Sequence, residues 1–412
     1  MKLFLLLLIT IPGFMYITFC LQDGQDMPGT NSSRYTDTLP LPFATNSVRN
    51  NSKVIGWPPD LAPTAPEGFT VSRFADNLSN PRWVYVAGNG DVFVCEPGKK
   101  NDIILLRDDN KDGIAESKNV FLTGLNRPFG MLIINDKFYV ANTNALMEFP
   151  YEPGATGITA EGKKIVDLPA GGYNNHWTRN IITNAAKNKI YITVGSGSNV
   201  GENGMETETR RAGILEVNID GSGEKIYAGG LRNPVGVDWE PVTGALWAAV
   251  NERDGLGDDL VPDYITSVKR EGFYGWPYSY FGQNEDPRRR GERPDLVQKA
   301  IVPDVDMGSH TASLGLVFYT KKMFPEKYRG GAFIGEHGSW NRSVLTGYKV
   351  AFVPFKNGKP SGKPEDFLTG FIANAGKSEV YGRPVCTAVL PDGSLLVTDD
   401  GANIIWRVAY KK

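Results

Sequence analysis

One arrangement of apolar and polar positions recurs along the chain beyond residue 80. A short apolar run is followed by a turn, a second apolar run and a polar loop. Asn/Asp-Gly-type residues separate the paired runs, as they do in β-hairpins. Further apolar runs, such as DIILLRD and ALMEFP, follow each pair. The six instances of the hairpin pattern begin at Arg82, Phe129, Asn180, Val235, Leu314 and Val385.

The spacing of these units predicts the architecture. They recur at intervals of roughly 50 residues, which lengthen around the fourth and fifth units, and about four strands per unit is typical of propeller blades. We therefore predict an all-β fold, a six-bladed β-propeller with four-stranded antiparallel blades. A β-sandwich with similar hairpins is the alternative. One helix is predicted at residues 263–272, in the fourth unit.

The first residues of the chain follow a different pattern. One lysine precedes a short leucine-rich run that Pro12 and Gly13 interrupt, which predicts a secretory signal peptide over residues 1–20 rather than a spanning helix. Cys20 ends this run, so lipidation as a lipoprotein and plain cleavage are both open. Residues 21–55 are polar, which predicts a disordered tether. Residues 56–412 are predicted to form a single propeller domain. We expect an extracytoplasmic protein, periplasmic or secreted.

Composition narrows the choice of partners. The 44 Lys and Arg residues against 46 Asp and Glu residues give a formal net charge of -2, so no global field attracts nucleic acid. Membrane contact is expected only through a lipid anchor at Cys20. Cys95 and Cys386 lie in strand-like stretches near the two ends of the folded region, where a disulfide and two buried thiols are both open.

Cationic residues occupy one place in the repeat. In an antiparallel hairpin, the residues before the first strand and those after the second lie at the same end of the channel. All six segments before a first strand carry an arginine or histidine, and the loops after second strands add three more cations. This cation ring comprises Arg82, Arg127, His176, Arg179, Arg232, His310 and Arg383, with Arg253, His337 and Arg342.

Such a ring predicts an anionic ligand. Clustered cations repel one another unless an anion lies among them, and guanidinium groups pair with carboxylates. We therefore predict a site for a compact polyanion at the channel axis. For any single arginine, a salt bridge to a neighbouring blade is the alternative.

Two segments offer further chemistry. His176, in GGYNNHWTRN, is a candidate general base, with a purely structural histidine as the alternative. The acidic, glycine-containing loop at residues 251–260 suits Ca²⁺, although a solvated acidic turn is also open. Zinc-ligand spacing, a glycine-rich phosphate loop and a Gly-x-Ser-x-Gly elbow are all absent from the sequence.

Four motifs carry a family resemblance. GLRNPVG, EGFYGWP, EHGSWNR and HTASLGLVFY…FPEKYRGGAF together resemble the sorbosone dehydrogenase group, which is related to the soluble glucose dehydrogenases and the fungal pyranose dehydrogenase domain. The resemblance covers roughly residues 60–410. It implies a propeller that holds pyrroloquinoline quinone (PQQ) over the channel mouth, with Ca²⁺ bridging PQQ to the protein. It also implies a sugar substrate and an external electron acceptor.

The resemblance assigns roles to particular residues. His176 resembles the base that takes the proton from the sugar hydroxyl. Where the glucose enzymes have an aspartate near this histidine, the present chain has Ser196, which can orient the imidazole but supplies no charge. The residues expected to bind the cofactor, with Arg127 added from the cation ring, are Arg127, Arg232, Asn233, Arg342 and Arg383. Those expected to bind metal are Asp254 and Gly255, through their carbonyls beside the cofactor, and Asp258 and Asp259 at a structural ion.

The sequence therefore predicts an extracytoplasmic, PQQ-dependent sugar dehydrogenase of the sorbosone type. A calcium-dependent sugar lactonase on a similar propeller is one alternative, but its axial metal needs carboxylates and amides where this chain has cations. A non-catalytic propeller that binds a carbohydrate or a partner is the other alternative, and it needs no reactive histidine.

Overall fold

Each predicted hairpin forms the first two strands of a sheet. The computed structural model describes residues 39–411 and contains six principal sheets of four or five strands. In the second sheet, Ile134 pairs with Lys137 across a two-residue turn. Asn135 in this turn has φ 54°, a left-handed conformation that asparagine tolerates and that tight hairpin turns require. The all-β prediction is confirmed.

The first three sheets are each built around four consecutive strands. Sheet 1 contains Trp83–Val86, Val92–Glu96, Asp102–Arg107 and Ser117–Leu122. Sheet 2 contains Met131–Ile134, Lys137–Asn142, Ala145–Pro150 and Lys163–Asp167. Sheet 3 contains Ile181–Thr183, Lys189–Val194, Gly213–Asn218 and Lys225–Gly229, and Gly272–Phe273 pairs with its last strand in parallel.

The last sheet combines a strand that precedes sheet 1 with the final strands of the chain. Sheet 4 contains Pro234–Trp239, Leu246–Val250, Pro262–Ser267 and Val305–Ser309, and sheet 5 contains Val317–Phe318, Ala332–Glu336, Lys349–Val353 and Glu365–Leu368. Sheet 6 contains Pro384–Val389, Leu395–Asp399, Ile404–Tyr410 and, outermost, Phe69–Ala75. Because the outermost strand precedes sheet 1 in the sequence, its pairing with Ile404–Tyr410 ties the start of the sheets to their end.

Short elements decorate these sheets. Lys53–Val54, Ile372–Asn374 and Glu379–Val380 form a small sheet, and Ser279–Tyr280 with Asn284–Glu285 and Phe355–Lys356 with Lys359–Pro360 form two ribbons. The helical elements are the α-helix Pro294–Lys299 and the 3₁₀ turns Met205–Glu208, Glu326–Tyr328 and Ala375–Lys377. Over residues 39–411, no helix has the length and apolarity needed to cross a membrane.

The first strands of the six sheets contact one another in cyclic order, and the first strand of sheet 6 contacts that of sheet 1. Glycine permits the close approach of these strands. A Cβ atom added to Gly130 would lie 2.6 Å from the backbone nitrogen of Ile181, in the next sheet. Gly315 meets the carbonyl of Val385 in the same way. The inner strands therefore approach one another through backbone as well as side chains.

Apolar clusters fill the spaces between neighbouring sheets. Phe93 and Phe138 pack between sheets 1 and 2, with ring centroids 5.0 Å apart. Trp247 and Ile334 belong to the cluster between sheets 4 and 5, and Trp406 belongs to the cluster between sheets 5 and 6. The apolar clusters lie between the sheets, so the polar residues at the ends of the inner strands are available to form a binding site.

Two features of the structure differ from expectation. The predicted helix at residues 263–272 is wrong, because this segment contributes to the strands Pro262–Ser267 and Gly272–Phe273. A short buried apolar run has no period that distinguishes helix from strand, and the aromatic and β-branched residues Tyr264, Ile265 and Thr266 favour the strand. The open question on the cysteines is also resolved, since Cys95 and Cys386 are buried free thiols.

Residues 39–55 are the described part of the predicted tether, and they lie along folded loops. The backbone nitrogen of Phe43 donates to the carbonyl of Leu256 at 2.8 Å, and the Asn341 amide donates to the carbonyl of Val48 at 2.7 Å. Asn50 donates from its backbone nitrogen to Trp340. The polar composition of this segment prevents it from forming a hydrophobic core, but its polar groups can still form such hydrogen bonds. The predicted signal peptide, Cys20 and residues 21–38 lie outside the described residues.

Candidate active site

His176 and Ser196 meet at the end of the inner hairpin of sheet 3. His176 precedes Ile181–Thr183 and Ser196 follows Lys189–Val194, so the antiparallel pairing brings them together. His176 Nδ1 lies 2.8 Å from the Ser196 carbonyl oxygen and 3.0 Å from Ser196 Oγ. A carbonyl can only accept a hydrogen bond, so Nδ1 carries the proton. The lone pair of a neutral imidazole is therefore on Nε2.

The surroundings keep this imidazole neutral. Burial is the largest cause that lowers the pKa of His176 well below its ordinary value, and the positive charge of Arg232 lowers it further. The Ser196 carbonyl acts in the opposite direction, because it stabilises a protonated ring. Within residues 39–411, the one hydrogen-bond contact of Nε2 is with the Asn175 amide nitrogen, at 3.5 Å. Nε2 is therefore available as a base.

Arg179 and Arg211 lie close to His176 and hydrogen-bond to neighbouring protein groups. Arg179 is fully buried and donates to the carbonyls of His176 and Thr178, at 2.8 and 2.7 Å. Burial and the charge of Arg211 lower the pKa of Arg179 to about 9. Both arginines also contribute to the low pKa of His176. Arg211 was not predicted, because it lies in the connection between the second and third strands of sheet 3.

Arg127 is the most open member of the cation ring. Its guanidinium carbon lies 4.1 Å from the centroid of the Trp177 ring, and that of Arg82 lies 5.7 Å from the same centroid. Desolvation and the charge of Arg82 lower the pKa of Arg127. Among the described residues, no carboxylate forms an ion pair with Arg127. Its positive charge is thus available to a ligand.

Asp400 partly neutralises the neighbouring part of the ring. It accepts from Arg82 Nη1 at 2.6 Å and from His337 Nε2 at 2.8 Å. Arg383 donates to the carbonyls of His337 and Gly338, both at 3.0 Å. Burial and Arg383 lower the pKa of His337 to about 4, against the opposing effect of Asp400. Asp400 was not predicted, because the cation ring was defined by arginine and histidine residues alone.

Arg232 is close to His176 but fully engaged. It donates to Asn199 O and Oδ1 at 3.1 and 2.9 Å, to Glu252 O at 2.6 Å and to Asn251 O at 3.3 Å, with Asp254 Oδ2 at 3.4 Å. These acceptors match the five N–H groups of a guanidinium. Arg232 thus places a positive charge near His176 and connects the loops that carry Asn199 and Glu252. Its predicted contact with the cofactor stays a prediction.

Asn233 differs from Arg232 in having a free polar atom. Its side chain is buried, and Oδ1 has no hydrogen-bond partner within the described residues. A Cβ atom added to Gly195 would collide with this oxygen and with the Cβ of His176. Because Gly195 has no side chain, His176 and Asn233 can approach each other next to the cation ring.

The predicted calcium loop is occupied by other contacts. The Asp254 carbonyl accepts from Asn199 Nδ2 at 3.0 Å and from Arg288 Nη1 at 2.8 Å. The Asp254 carboxylate faces Arg232 and His310, and His310 Nε2 donates to the carbonyl of Gly257 at 2.9 Å. Arg288 was not predicted, because it lies in the long connection between the last two strands of sheet 4, outside the hairpin pattern.

The remaining predicted metal ligands hold a loop. Asp258 accepts from the backbone nitrogen and hydroxyl of Ser343, and Asp259 accepts from Arg342 Nη2 at 2.7 Å. Arg342 also donates to the Asp258 carbonyl at 2.9 Å. Arg342, predicted to bind the cofactor, is therefore already paired.

Two further predictions concern Arg253 and the calcium loop at residues 251–260. Arg253 is fully buried and pairs with Glu252 and Asp286, so it does not belong to the mouth of the channel. Over residues 39–411, the one group of three acidic side chains close enough to share a metal is Asp108, Asp112 and Glu116, outside residues 251–260. The Asp254 carbonyl and the carboxylates of Asp258 and Asp259 accept hydrogen bonds from asparagine, arginine and serine, while Gly255 donates from its backbone nitrogen to Asn341 Oδ1 at 3.0 Å. Calcium binding by Asp254, Gly255, Asp258 and Asp259 stays a prediction.

Sequence comparison relates the chain to known proteins. The chain is 30% identical over 358 residues to an uncharacterized protein of Borreliella burgdorferi, across 84% of this chain and 90% of that protein. It is 22% identical over 265 residues to a pyrroloquinoline quinone-dependent sugar dehydrogenase of Hypocrea jecorina, across 58% of this chain and 60% of that enzyme. A pyrroloquinoline quinone-dependent pyranose dehydrogenase of Coprinopsis cinerea is 23% identical over 336 residues, across 70% and 44% respectively.

Solved structures share the fold. The holo form of the pyranose dehydrogenase PQQ domain from Coprinopsis cinerea superposes with a TM-score of 0.73 at 20% identity, covering 86% of this chain and 98% of that one. The calcium structure of a Trichoderma reesei enzyme of Carbohydrate-Active Enzymes Family AA12 also gives 0.73, at 18% identity, covering 88% and 99%. The TrAA12-like family matches residues 63–265 and 292–411, which confirms the resemblance found in the motifs. The chain belongs to the TrAA12-like family.

Proposed function

We propose that the chain is a PQQ-dependent dehydrogenase that oxidises a hydroxyl or aldehyde group of a sugar. Its sequence relatives include pyrroloquinoline quinone-dependent sugar and pyranose dehydrogenases. The observation that carries the proposal is His176, whose Nδ1 proton is fixed on a carbonyl and whose Nε2 lone pair is open among cations. A base held neutral in this way can remove a hydroxyl proton.

The charge at the mouth suits PQQ, a compact polycarboxylate. Arg127 has no carboxylate partner within the described residues, and Arg82 pairs with Asp400, whose negative charge also acts on Arg383. Asn233 Oδ1 adds, beside His176, a polar atom that has no hydrogen-bond partner in the described part of the chain. When bound, PQQ would supply a two-electron acceptor, and the chain's own contribution is orientation, charge and the base. A calcium-dependent lactonase is disfavoured, since its axial carboxylates are replaced by cations.

Several finer features belong to the same proposal. The six sheets and the cyclic contacts of their first strands support a six-bladed propeller. The leucine-rich start of the sequence supports an extracytoplasmic location, in which an external acceptor receives the electrons. A sorbosone-like substrate is favoured by the motifs alone.

Reconstitution tests this function directly. The full chain is incubated with PQQ, with and without Ca²⁺, and screened against aldoses, alditols and sorbosone with an artificial dye as acceptor. We expect dye reduction that depends on both PQQ and a sugar. Saturable sugar binding without turnover would favour the non-catalytic propeller, and sugar-lactone hydrolysis without PQQ would favour the lactonase. Either result would reject the proposal.

The pH dependence of this activity should respond to Ser196. Activity needs neutral His176, so it is lost as the pH falls through the pKa of His176, and we expect the acidic limb well below about pH 6.5. Ser196→Asp places a negative charge beside Nδ1 and should move that limb upward by about one unit or more. The limb is measured from kcat against pH.

Ser196→Asn is the matched control, because it has nearly the same size as aspartate without the charge. It should leave the acidic limb close to that of the native protein. Equal shifts in both variants would show that packing at residue 196, rather than charge, controls the pKa of His176.

A further inference from the structure

Arg288 contacts a carbonyl oxygen that the resemblance assigns to calcium. The Asp254 carbonyl accepts from Arg288 Nη1 at 2.8 Å and from Asn199 Nδ2 at 3.0 Å, so both of its lone pairs are used. A Cβ atom added to Gly255 would lie 3.2 Å from the same Nη1. Ca²⁺ requires six to eight oxygen ligands and would meet a guanidinium here. The residues present therefore do not fit the expected ion.

A buried ion network holds Arg288 in place. Asp286 is fully buried and accepts from Arg288 Nε and Nη2, at 3.0 and 2.9 Å, in a bidentate pair. Asp286 also accepts from Arg253 Nη1 at 3.0 Å. Arg253 in turn pairs with Glu252 at 3.2 Å. Charges alternate from Glu252 to Arg288, so the network ends in a positive charge at the carbonyl of Asp254.

Arg288 keeps donors for a ligand. Three of its five N–H groups have partners within the described residues, which leaves one on Nη1 and one on Nη2. The side chain is 25% exposed, so these groups are not sealed inside the protein. The segment that carries Asp286 and Arg288 lies between the two stretches matched by the TrAA12-like family, 63–265 and 292–411. The family match therefore does not cover Asp286 or Arg288.

We propose that the Arg288 guanidinium, held by Asp286, binds an anionic oxygen edge of PQQ in place of calcium, so that PQQ binding is independent of calcium. This inference rests on the proposed function. A guanidinium supplies a fixed positive charge with directional donors, whereas a metal here would need the Asp254 carbonyl, which already accepts from Arg288 and Asn199. Removal of metal should therefore leave the affinity for PQQ unchanged.

The test measures the Kd of the full chain for PQQ by tryptophan fluorescence, in excess EDTA and in millimolar calcium. We expect the native chain to give the same Kd in both buffers within about twofold. Arg288→Gln should weaken binding in EDTA by about 10- to 100-fold, the usual effect of losing a hydrogen bond to a charged group. Arg290→Gln, which removes an exposed charge from the same segment, should bind like the native chain.

The outcomes separate this inference from the proposed function. A native chain that binds PQQ in calcium but loses at least tenfold affinity in EDTA would overturn the role of Arg288 and leave the proposed function standing. An absence of PQQ binding in both buffers would reject the proposed function and this inference with it. Both comparisons use the native chain, so they hold even if Arg288→Gln does not fold. Arg288→Lys, which keeps the charge, should recover part of the affinity in EDTA.

Discussion

Replacing His176 with alanine should lower kcat by about 10²- to 10⁴-fold while the affinity for PQQ stays near the native value. The imidazole is the group whose Nε2 lone pair is open, and its Nδ1 is already used by the Ser196 carbonyl. The neighbouring cations are held by their own partners, and they remain in place when the ring is removed. Steady-state dye reduction gives kcat, and a fluorescence titration gives the Kd for PQQ.

Added imidazole provides the control for this substitution. A free imidazole should enter the space left by the ring and restore part of the turnover, which a merely structural loss would not allow. If the kcat of His176→Ala equals that of the native protein, His176 is not the base. If PQQ binding is lost as well, the histidine serves mainly to shape the site.

Replacing Asp286 with alanine should have the largest effect on folding. The carboxylate is fully buried and receives hydrogen bonds from Arg253 and Arg288. Its removal leaves the buried Arg253 with Glu252 as its one carboxylate partner within the described residues. Breaking a buried ion pair in this way costs about 3–5 kcal/mol in the free energy of unfolding. Urea unfolding followed by circular dichroism measures the change.

Asp295→Ala is the matched control for Asp286→Ala. Asp295 also pairs with an arginine in the connection between the last two strands of sheet 4, but both side chains of the Asp295–Arg293 pair are about half exposed. Water already solvates these charges, so we expect little change in the unfolding midpoint. Equal effects of the two substitutions would contradict the importance assigned to the buried network.

The sequence determined the parts of this protein that depend on local pattern. The six hairpins starting at Arg82, Phe129, Asn180, Val235, Leu314 and Val385 all form the first two strands of a sheet, because turn residues and apolar alternation act over a few neighbouring residues. The proximity of Ser196 to His176 was implied by the family resemblance, and the antiparallel pairing of the third hairpin accounts for it. Local pattern could not recognise residues 263–272 as strand, since a short buried run has no distinguishing period.

Only the tertiary structure decided which cations are free. Arg127 and Arg232 look alike in the sequence, yet the first lacks a carboxylate partner among the described residues and the second uses its N–H groups on Asn199, Asn251, Glu252 and Asp254. The acidic loop likewise looks like a calcium site until Arg288, distant in sequence, donates to Asp254. Hydrogen bonds and ion pairs depend on distances of a few ångströms between segments far apart in the chain, and no pattern along the sequence specifies those distances.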